Sequence, residues 1–473
     1  MGKPNRSVAK FGGIVCFVYF CLIITFDTLT AQISQGGEPH SFGHTALEEP
    51  ERITMPAVDV QALRMEDQLE RESPTPVPPR FGFAHEVNLD IHRNGTWTEL
   101  EDGGRFWRLS IHTAGAYSVN LIYDEFFLPP EATFFVYNGD RTEMIGAFTE
   151  LNNKEYGKFS TSPVAGDVTI LEVYEPAGVR GLVRLRISHV VHAYRNLFNR
   201  TRGSGNDLEP FSGHGSSLSC NIGINCSKGA PYQNEKRAIA MILTQNGQRI
   251  CSGSLLNNVR QDYTPYFLTA DHCRSAGNVN TWLFMFNYES PGCTTSDGQT
   301  HQSISGATLR ANHAASDFAL LQLSSQLPVT YNLYLLGWSA QNQSPQSSTI
   351  IHHPRGDTKK ISFDYNSAVS ASFLGSPPNT HWRIELTDGT AEPGSSGAPQ
   401  LNQNKRVVGQ IHGGPNPPHC PNPTTPIHNG RFDVSWTGGG TNSTRLRTWL
   451  DPDNTGSLTL NGRYAQPHPL KIL

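Results

Sequence analysis

The sequence predicts an all-β chain made of two folded parts, on three observations. Glycine and proline are abundant, 44 and 32 in 473 residues, and turn formers at that density divide a chain into short elements. Short runs alternate apolar and polar residues, the period of a half-buried strand. Helical spacing is scarce. One candidate stands out, Arg445-Leu-Arg-Thr-Trp-Leu, which Ser443 or Thr444 would cap and Asp451-Pro452 would end. The length exceeds one ordinary core, so two domains with flanking segments are expected.

The elements follow in chain order. Lys3, Arg6 and Lys10 precede an apolar stretch over 14–26, and Leu29-Thr30-Ala31 offers small residues for cleavage before Gln32. This predicts a signal peptide over 1–31 and a secreted protein, extracellular or periplasmic. The apolar run is short for a bilayer span. Residues 32–80 are polar, acidic and Pro-rich, ending in Pro74-Thr-Pro-Val-Pro-Pro, and predict a loosely ordered pro-segment. From 81 to 197 the strand-like runs begin: Phe106-Trp-Arg-Leu-Ser-Ile, Ala116-Tyr-Ser-Val-Asn-Leu, Thr133-Phe-Phe-Val-Tyr and Val168-Thr-Ile-Leu-Glu-Val. Asn94-Gly95, Asp102-Gly103-Gly104 and Asn138-Gly139-Asp140 separate runs of this kind. A β-sandwich-like prodomain is expected there. It shows no nucleophile–base arrangement, so its role is folding or inhibition. Residues 198–219 form a Gly/Ser/Asn-rich processing linker with Arg200, Arg202 and the 213–217 stretch as cleavage candidates. The remaining domain spans 220–462, followed by a tail over 463–473.

Charge and cysteine narrow the class. A formal net charge of -4 gives no basic face for nucleic acid. Of 8 cysteines, Cys16 and Cys21 leave with the signal; the other six are Cys220, Cys226, Cys251, Cys273, Cys293 and Cys420. An even number confined to one region of an exported chain predicts three disulfides. Paired C-x-x-C clusters are missing, so no zinc site is expected, nor any other metal or cofactor.

Three segments carry chemistry. Thr269-Ala270-Asp271-His272-Cys273 ends the apolar run Tyr266-Phe267-Leu268, placing His272 as a rigid general base. Gly394-Ser395-Ser396-Gly397 surrounds Ser396 with small neighbours, which let a carbonyl approach a nucleophilic hydroxyl. The backbone amides of Gly394 and Ser396 can meet the developing oxyanion. Ser316-Asp317-Phe318-Ala319-Leu320-Leu321 sends an acid into an apolar strand, costly unless it is hydrogen-bonded; orienting His272 would explain Asp317. The order His, Asp, Ser is that of the chymotrypsin template and not of subtilisin or the α/β-hydrolases.

Around these motifs, residues 213–462 resemble the bacterial lysyl endopeptidase group of trypsin-like serine peptidases. The resemblance rests on Cys220-Asn-Ile, Cys226, Cys251-Ser-Gly-Ser-Leu-Leu-Asn-Asn, Tyr266-Phe-Leu-Thr-Ala and His272-Cys273. It continues through Ser316-Asp-Phe-Ala-Leu-Leu, Ile351-His-His-Pro, Glu392-Pro-Gly-Ser-Ser-Gly, Gly409-Gln-Ile-His-Gly-Gly, Ser435-Trp-Thr-Gly-Gly-Gly and Trp449-Leu-Asp-Pro. The pro-region is similar to that of this group too. The resemblance implies a two-barrel chymotrypsin-like peptidase domain after the prodomain, polypeptide substrates, the chain's own prodomain as partner, and a monomer after maturation. It implies the pairings Cys220–Cys420, Cys226–Cys293 and Cys251–Cys273. It puts His412, Gly413 and Gly414 beside the substrate, and Phe373 where the family can carry a Trp stacked near that His.

The sequence departs from the group at one decisive position. The specificity-pocket Asp that receives a substrate lysine falls at Ile427, and no Asp or Glu occurs between Glu392 and Asp433. A substrate ammonium is costly to bury without a carboxylate. Either Asp433 or Glu392 supplies the charge, or lysine is not preferred. Ser395 stands where pancreatic proteases carry the Asp that pairs with a new N-terminus. Prodomain removal is therefore expected to act by uncovering the cleft. The alternatives to an active endopeptidase are a catalytically silent binding relative on the same fold, and an esterase, for which no lipid-binding cap is seen.

Overall fold

The computed structural model describes residues 2, 34–45, 47–73, 77–197, 217–244, 246–274, 278–294, 296–414 and 426–465. The expected signal peptide apart from Gly2, the linker candidates Arg200, Arg202 and 213–216, Cys420 and the end of the tail lie outside the described residues.

The first half is a two-sheet sandwich. In one sheet the order is Glu51–Thr54, Arg105–His112, Val168–Glu175, Thr133–Asn138, Met144–Phe148, with Thr96–Glu99 also on Arg105–His112. In the other it is Gly82–Asp90, Arg184–Ala193, Ser118–Phe127, Phe159–Ser160, with Val164–Ala165 also on Ser118–Phe127. Leu109, Ile111, Phe134, Leu171 and Val173 from one sheet meet Leu121, Tyr123, Phe126 and Phe159 from the other. The Phe126 and Phe159 rings stack at 4.2 Å. Alternation along each strand sends these side chains inward.

The segment before the sandwich is more ordered than its composition predicts. Glu51–Thr54 adds a parallel edge strand, with Ile53 opposite Ile111. Val60–Glu72 is an α-helix whose N-cap Asp59 accepts from the Ala62 amide at 3.0 Å. A helix this short is marginal alone. Tertiary contacts hold it: buried Asp67 accepts from Arg80 at 3.0 Å, Arg195 at 2.6 Å and Tyr194 at 2.7 Å. A charged residue on the inward face hides the apolar period that would have marked the helix.

The second half carries two larger sheets. The seven-stranded sheet runs Ser303–Ser305, Leu283–Phe286, Ile239–Thr244, Arg249–Leu256, Tyr266–Ala270, Phe318–Leu323, Ala307–His313. The ten-stranded sheet is built along Ser348–His352, Pro399–Leu401, Val407–Gly413, Pro426–Arg431 and His381–Glu385. One core cluster reaches from Ile242, Phe267 and Leu320 in the first sheet to Ile351 and Val407 in the second. The expected terminal helix is present but short, Arg447–Leu450, and a second one, Phe432–Thr437, was not foreseen. No helix among the described residues is long and apolar enough to cross a membrane.

The halves meet on the first of these sheets. Phe81, Ala193 and Leu197 share a buried cluster with Met241, Leu243, Ile250, Leu283, Met285 and Tyr288. The Phe81 amide donates to Gln248 O at 2.9 Å, and the Ile250 amide to Pro79 O at 3.1 Å. Tyr156 and Lys154 reach Ser324 and Ser325 at 2.6 and 2.7 Å, and Arg249 pairs with Glu70 at 2.6 Å. These contacts lie on the outside of the first sheet.

Candidate active site

Strand register brings the first two site residues together. Tyr266–Ala270 pairs antiparallel with Phe318–Leu323, with Ala270 opposite Phe318. His272 lies just beyond one strand end and Asp317 just before the facing one. The Asp271 amide donates to Asp317 O at 2.8 Å, closing the corner. Asp317 has φ 50°, a left-handed conformation that Asp tolerates better than most residues. The Cys251–Cys273 disulfide ties the loop back to the neighbouring strand.

Asp317 is 3% exposed. Its Oδ1 accepts from the His272 amide at 2.9 Å, and its Oδ2 lies 2.8 Å from His272 Nδ1. Burial opposes ionisation, but the facing His272, its hydrogen bonds and the nearby His412 outweigh it and hold the carboxyl below its usual range. An ionised carboxylate only accepts, so Nδ1 carries the proton and Nε2 is left bare. Among the described residues, Ser396 included, nothing hydrogen-bonds Nε2; such contacts are often loose before substrate binds. Gln410, given no role from sequence, donates to Ser316 O at 2.8 Å and to Asp317 O at 3.1 Å.

The serine sits on a tight turn. Gly394 and Gly397 have φ of 99° and 83°, conformations that need glycine. A Cβ on Gly397 would lie 2.2 Å from Thr269 Oγ1 and 2.7 Å from the Ala270 amide, so this turn packs directly against the strand that leads to His272. The Ser252 amide donates to Ser396 O at 2.8 Å. Along the turn, the Ser395 amide donates to Glu392 O and the Gly397 amide to Ile411 O. The alternate amides, Gly394 and Ser396, donate to no carbonyl among the described residues. Two unspent donors on either side of a half-exposed hydroxyl suit an oxyanion. Ser395 turns inward, its Oγ 2.7 Å from His352 Nδ1.

His412 lies on Val407–Gly413, half-buried like Gly413 and Gly414. Its ring stacks toward His272 with centroids 5.5 Å apart, and its Nε2 is 3.7 Å from Asp317 Oδ2. Phe373 meets His412 edge-on at 5.0 Å and stacks on His428 at 4.4 Å. The stacking expected at His412 is thus made to a histidine that sequence reading passed over. His381, also passed over, lies 2.9 Å from His412 through its Nε2. Burial pushes His412 down, against Asp317, and pushes His381 and His428 down to about 4.

Ile427 is 4% exposed and packs with Ile384, Ile411, Ala391 and Ala398; a Cβ on Gly414 would meet its Cδ1 at 2.9 Å. Both acids that might replace its missing charge are engaged. Asp433 pairs with Arg431 at 2.6 Å. Glu392 pairs with Arg355 and accepts from the Leu218 amide at 2.8 Å and Asn221 at 2.7 Å. Burial pushes the Glu392 carboxyl up, Arg355 and these donors opposing it.

Two of the three expected disulfides, Cys226–Cys293 and Cys251–Cys273, are formed. Cys220 is disulfide-bonded, and its expected partner Cys420 lies outside the described residues. His272, Asp317 and His412 bring potential metal-ligand atoms within 4.8 Å of one another. The protonated Nδ1 bonded to Asp317 is, however, committed to a hydrogen bond and not open to an ion.

Residues 214–429 match the family described as lysyl endopeptidase, C-terminal domain. The lysyl endopeptidase of Pseudomonas aeruginosa is 28% identical over 353 residues, 70% of this chain and 72% of that protein. Among solved structures, the thermostable serine protease AL20 from an extremophilic microorganism aligns with a TM-score of 0.31 at 13% identity, over 42% of this chain and 92% of that one. An inactive form of Rv3671c from M. tuberculosis aligns with a TM-score of 0.28 at 15% identity, over 43% and 89%.

Proposed function

We propose that this relative of the lysyl endopeptidase group, a trypsin-like serine endopeptidase, cleaves polypeptides with Ser396 as nucleophile, His272 as general base and Asp317 as its orienting partner. The observation that carries the proposal is the pair of hydrogen bonds from His272 to buried Asp317, at 2.8 and 2.9 Å. They fix the ring so that the bare Nε2 is the nitrogen left to act. In the triad mechanism, Ser396 Oγ attacks the peptide carbonyl and its proton passes to Nε2. The Gly394 and Ser396 amides take the oxyanion. The imidazolium, held by Asp317, then gives the proton to the leaving amine. Water hydrolyses the acyl-enzyme by the same steps and restores Ser396.

Among the described residues no free carboxylate lies beside Ile427, so the enzyme prefers an uncharged residue before the scissile bond over lysine. We read the chain as a secreted proenzyme. The sandwich would assist folding of the first barrel through the cluster it shares there, and cleavage in 198–219 would separate the two. A fluorophosphonate probe should label the processed wild-type protein and not S396A. Failure to label correctly processed wild type would leave the silent binding relative as the better reading.

A further inference from the structure

Behind the triad runs a second chain of polar contacts that the mechanism above does not use. His412 Nε2 faces Asp317 Oδ2 at 3.7 Å. On its other side, His412 Nδ1 lies 2.9 Å from His381 Nε2. His381 Nδ1 in turn faces two hydroxyls, Thr380 Oγ1 at 2.9 Å and Ser376 Oγ at 3.2 Å. His381 is fully buried, the first residue of the strand His381–Glu385, paired with Gly430 of Pro426–Arg431.

Only two proton arrangements let neutral rings bond along this chain. In one, His381 donates from Nδ1 to Thr380, and His412 donates from Nδ1 to His381. That leaves a bare His412 Nε2 pointing at the Asp317 carboxylate, two acceptors face to face. In the other, a hydroxyl donates to His381 Nδ1, His381 Nε2–H donates to His412 Nδ1, and His412 Nε2–H points at Asp317. The hydroxyl end can supply that first proton. Ser376 Oγ accepts from the Phe373 amide at 3.0 Å, which leaves its own hydrogen for His381. The carboxylate end requires the second arrangement, because an ionised acid offers no proton.

We propose that His381 is a positioning residue: by donating to His412 Nδ1 it fixes His412 as the Nε2–H tautomer and aims a second N–H dipole at Asp317. Ser376 sets His381 in the same way. The inference rests on the triad reading above. That dipole shares the Asp317 charge with His272. With it, the carboxylate stabilises the His272 imidazolium less strongly. The ionisable groups facing this chain are His272, Asp317 and Asp271 around His412, and His428 beside His381, with Arg383 next to His428.

The test uses the processed enzyme with three substitutions. H381L removes the donor, H381Q keeps an N–H near the Nε2 position, and S376A removes the far-end hydroxyl. Ring 15N shifts of His412 should report the Nε2–H tautomer in wild type and H381Q, and a mixture in H381L. H381L should change kcat by no more than about tenfold, the scale of one hydrogen bond, with little change in KM. The acid limb of its kcat/KM profile should move to higher pH, and H381Q should restore it. A merely structural role would lower the amount of folded enzyme without moving that limb. If H381L does not fold, S376A carries the same readings, and a wild-type tautomer and profile there would overturn the proposal. So would an Nδ1–H His412 in wild type, or an unchanged tautomer and profile in H381L. The tautomer is also readable in S396A, so failure of the triad reading and failure of this one are separate results.

Discussion

The His272–Asp317 corner and the turn before Ser396 each hold one buried acid, and the two acids behave oppositely. Asp317 is held below its usual range, because His272 and His412 surround it and outweigh burial. Glu392 is pushed up by burial, though Arg355, the Leu218 amide and Asn221 all pull the other way. Asp317 faces the histidines of the cleft; Glu392 is spent bracing the turn before Ser396 and holding Leu218 and Asn221 at the end of the linker. The corner is built by strand register, with Ala270 opposite Phe318, so the fold itself brings His272 to Asp317. Ile427, by contrast, is buried among Ile384, Ile411, Ala391 and Ala398. The meeting of His272 and Asp317 is therefore tied to the architecture, whereas on the proposed reading specificity turns on the one side chain at Ile427.

The predictions sharpen that contrast. The largest effect belongs to the corner: S396A or H272A should lower kcat by about a millionfold, as for a triad acting as a unit, measured on a peptide ester or amide. Asp317→Asn should cost about ten-thousandfold by presenting the wrong His272 tautomer, with the protein still folded. On the wall, Ile427→Asp should raise kcat/KM for cleavage after lysine relative to an apolar residue by at least about tenfold, by supplying the missing counter-charge. No change in that ratio would mean that Ile427 does not line the pocket.

A smaller effect concerns stability. Burial holds His381 and His428 at about 4 and His352 at about 3, below their ordinary 6.5. Between pH 6.5 and 4 the unfolded chain therefore binds more protons than the folded one, so stability is full above pH 6.5 and falls as pH drops. Tm should decline over that window, and H428Q should flatten the decline. A Tm independent of pH there would contradict the burial of these rings.

Much of the corner was legible in the sequence because each part carried a local signature. A strand ran into His272, small residues flanked Ser396, and an acid opened an apolar strand at Asp317. Gln410, His381 and His428 were not legible. Their roles arise only where one strand faces another, as in the bond from His381 to His412 across the sheet. Phe373 meets His412 at 5.0 Å, but its ring stacks on His428, which sequence spacing does not reveal. The helix Val60–Glu72 was hidden for a related reason: what anchors it is Asp67 paired with Arg80 and Arg195, polar contacts that leave no apolar stripe.

The most direct test of the central claim is digestion of a diverse peptide library by the purified mature enzyme, with S396A as control. Cuts that vanish in S396A and that follow uncharged residues more often than lysine are the predicted result. Cuts made equally well by S396A would contradict the triad, and S396-dependent cuts dominated by lysine would contradict the uncharged wall at Ile427.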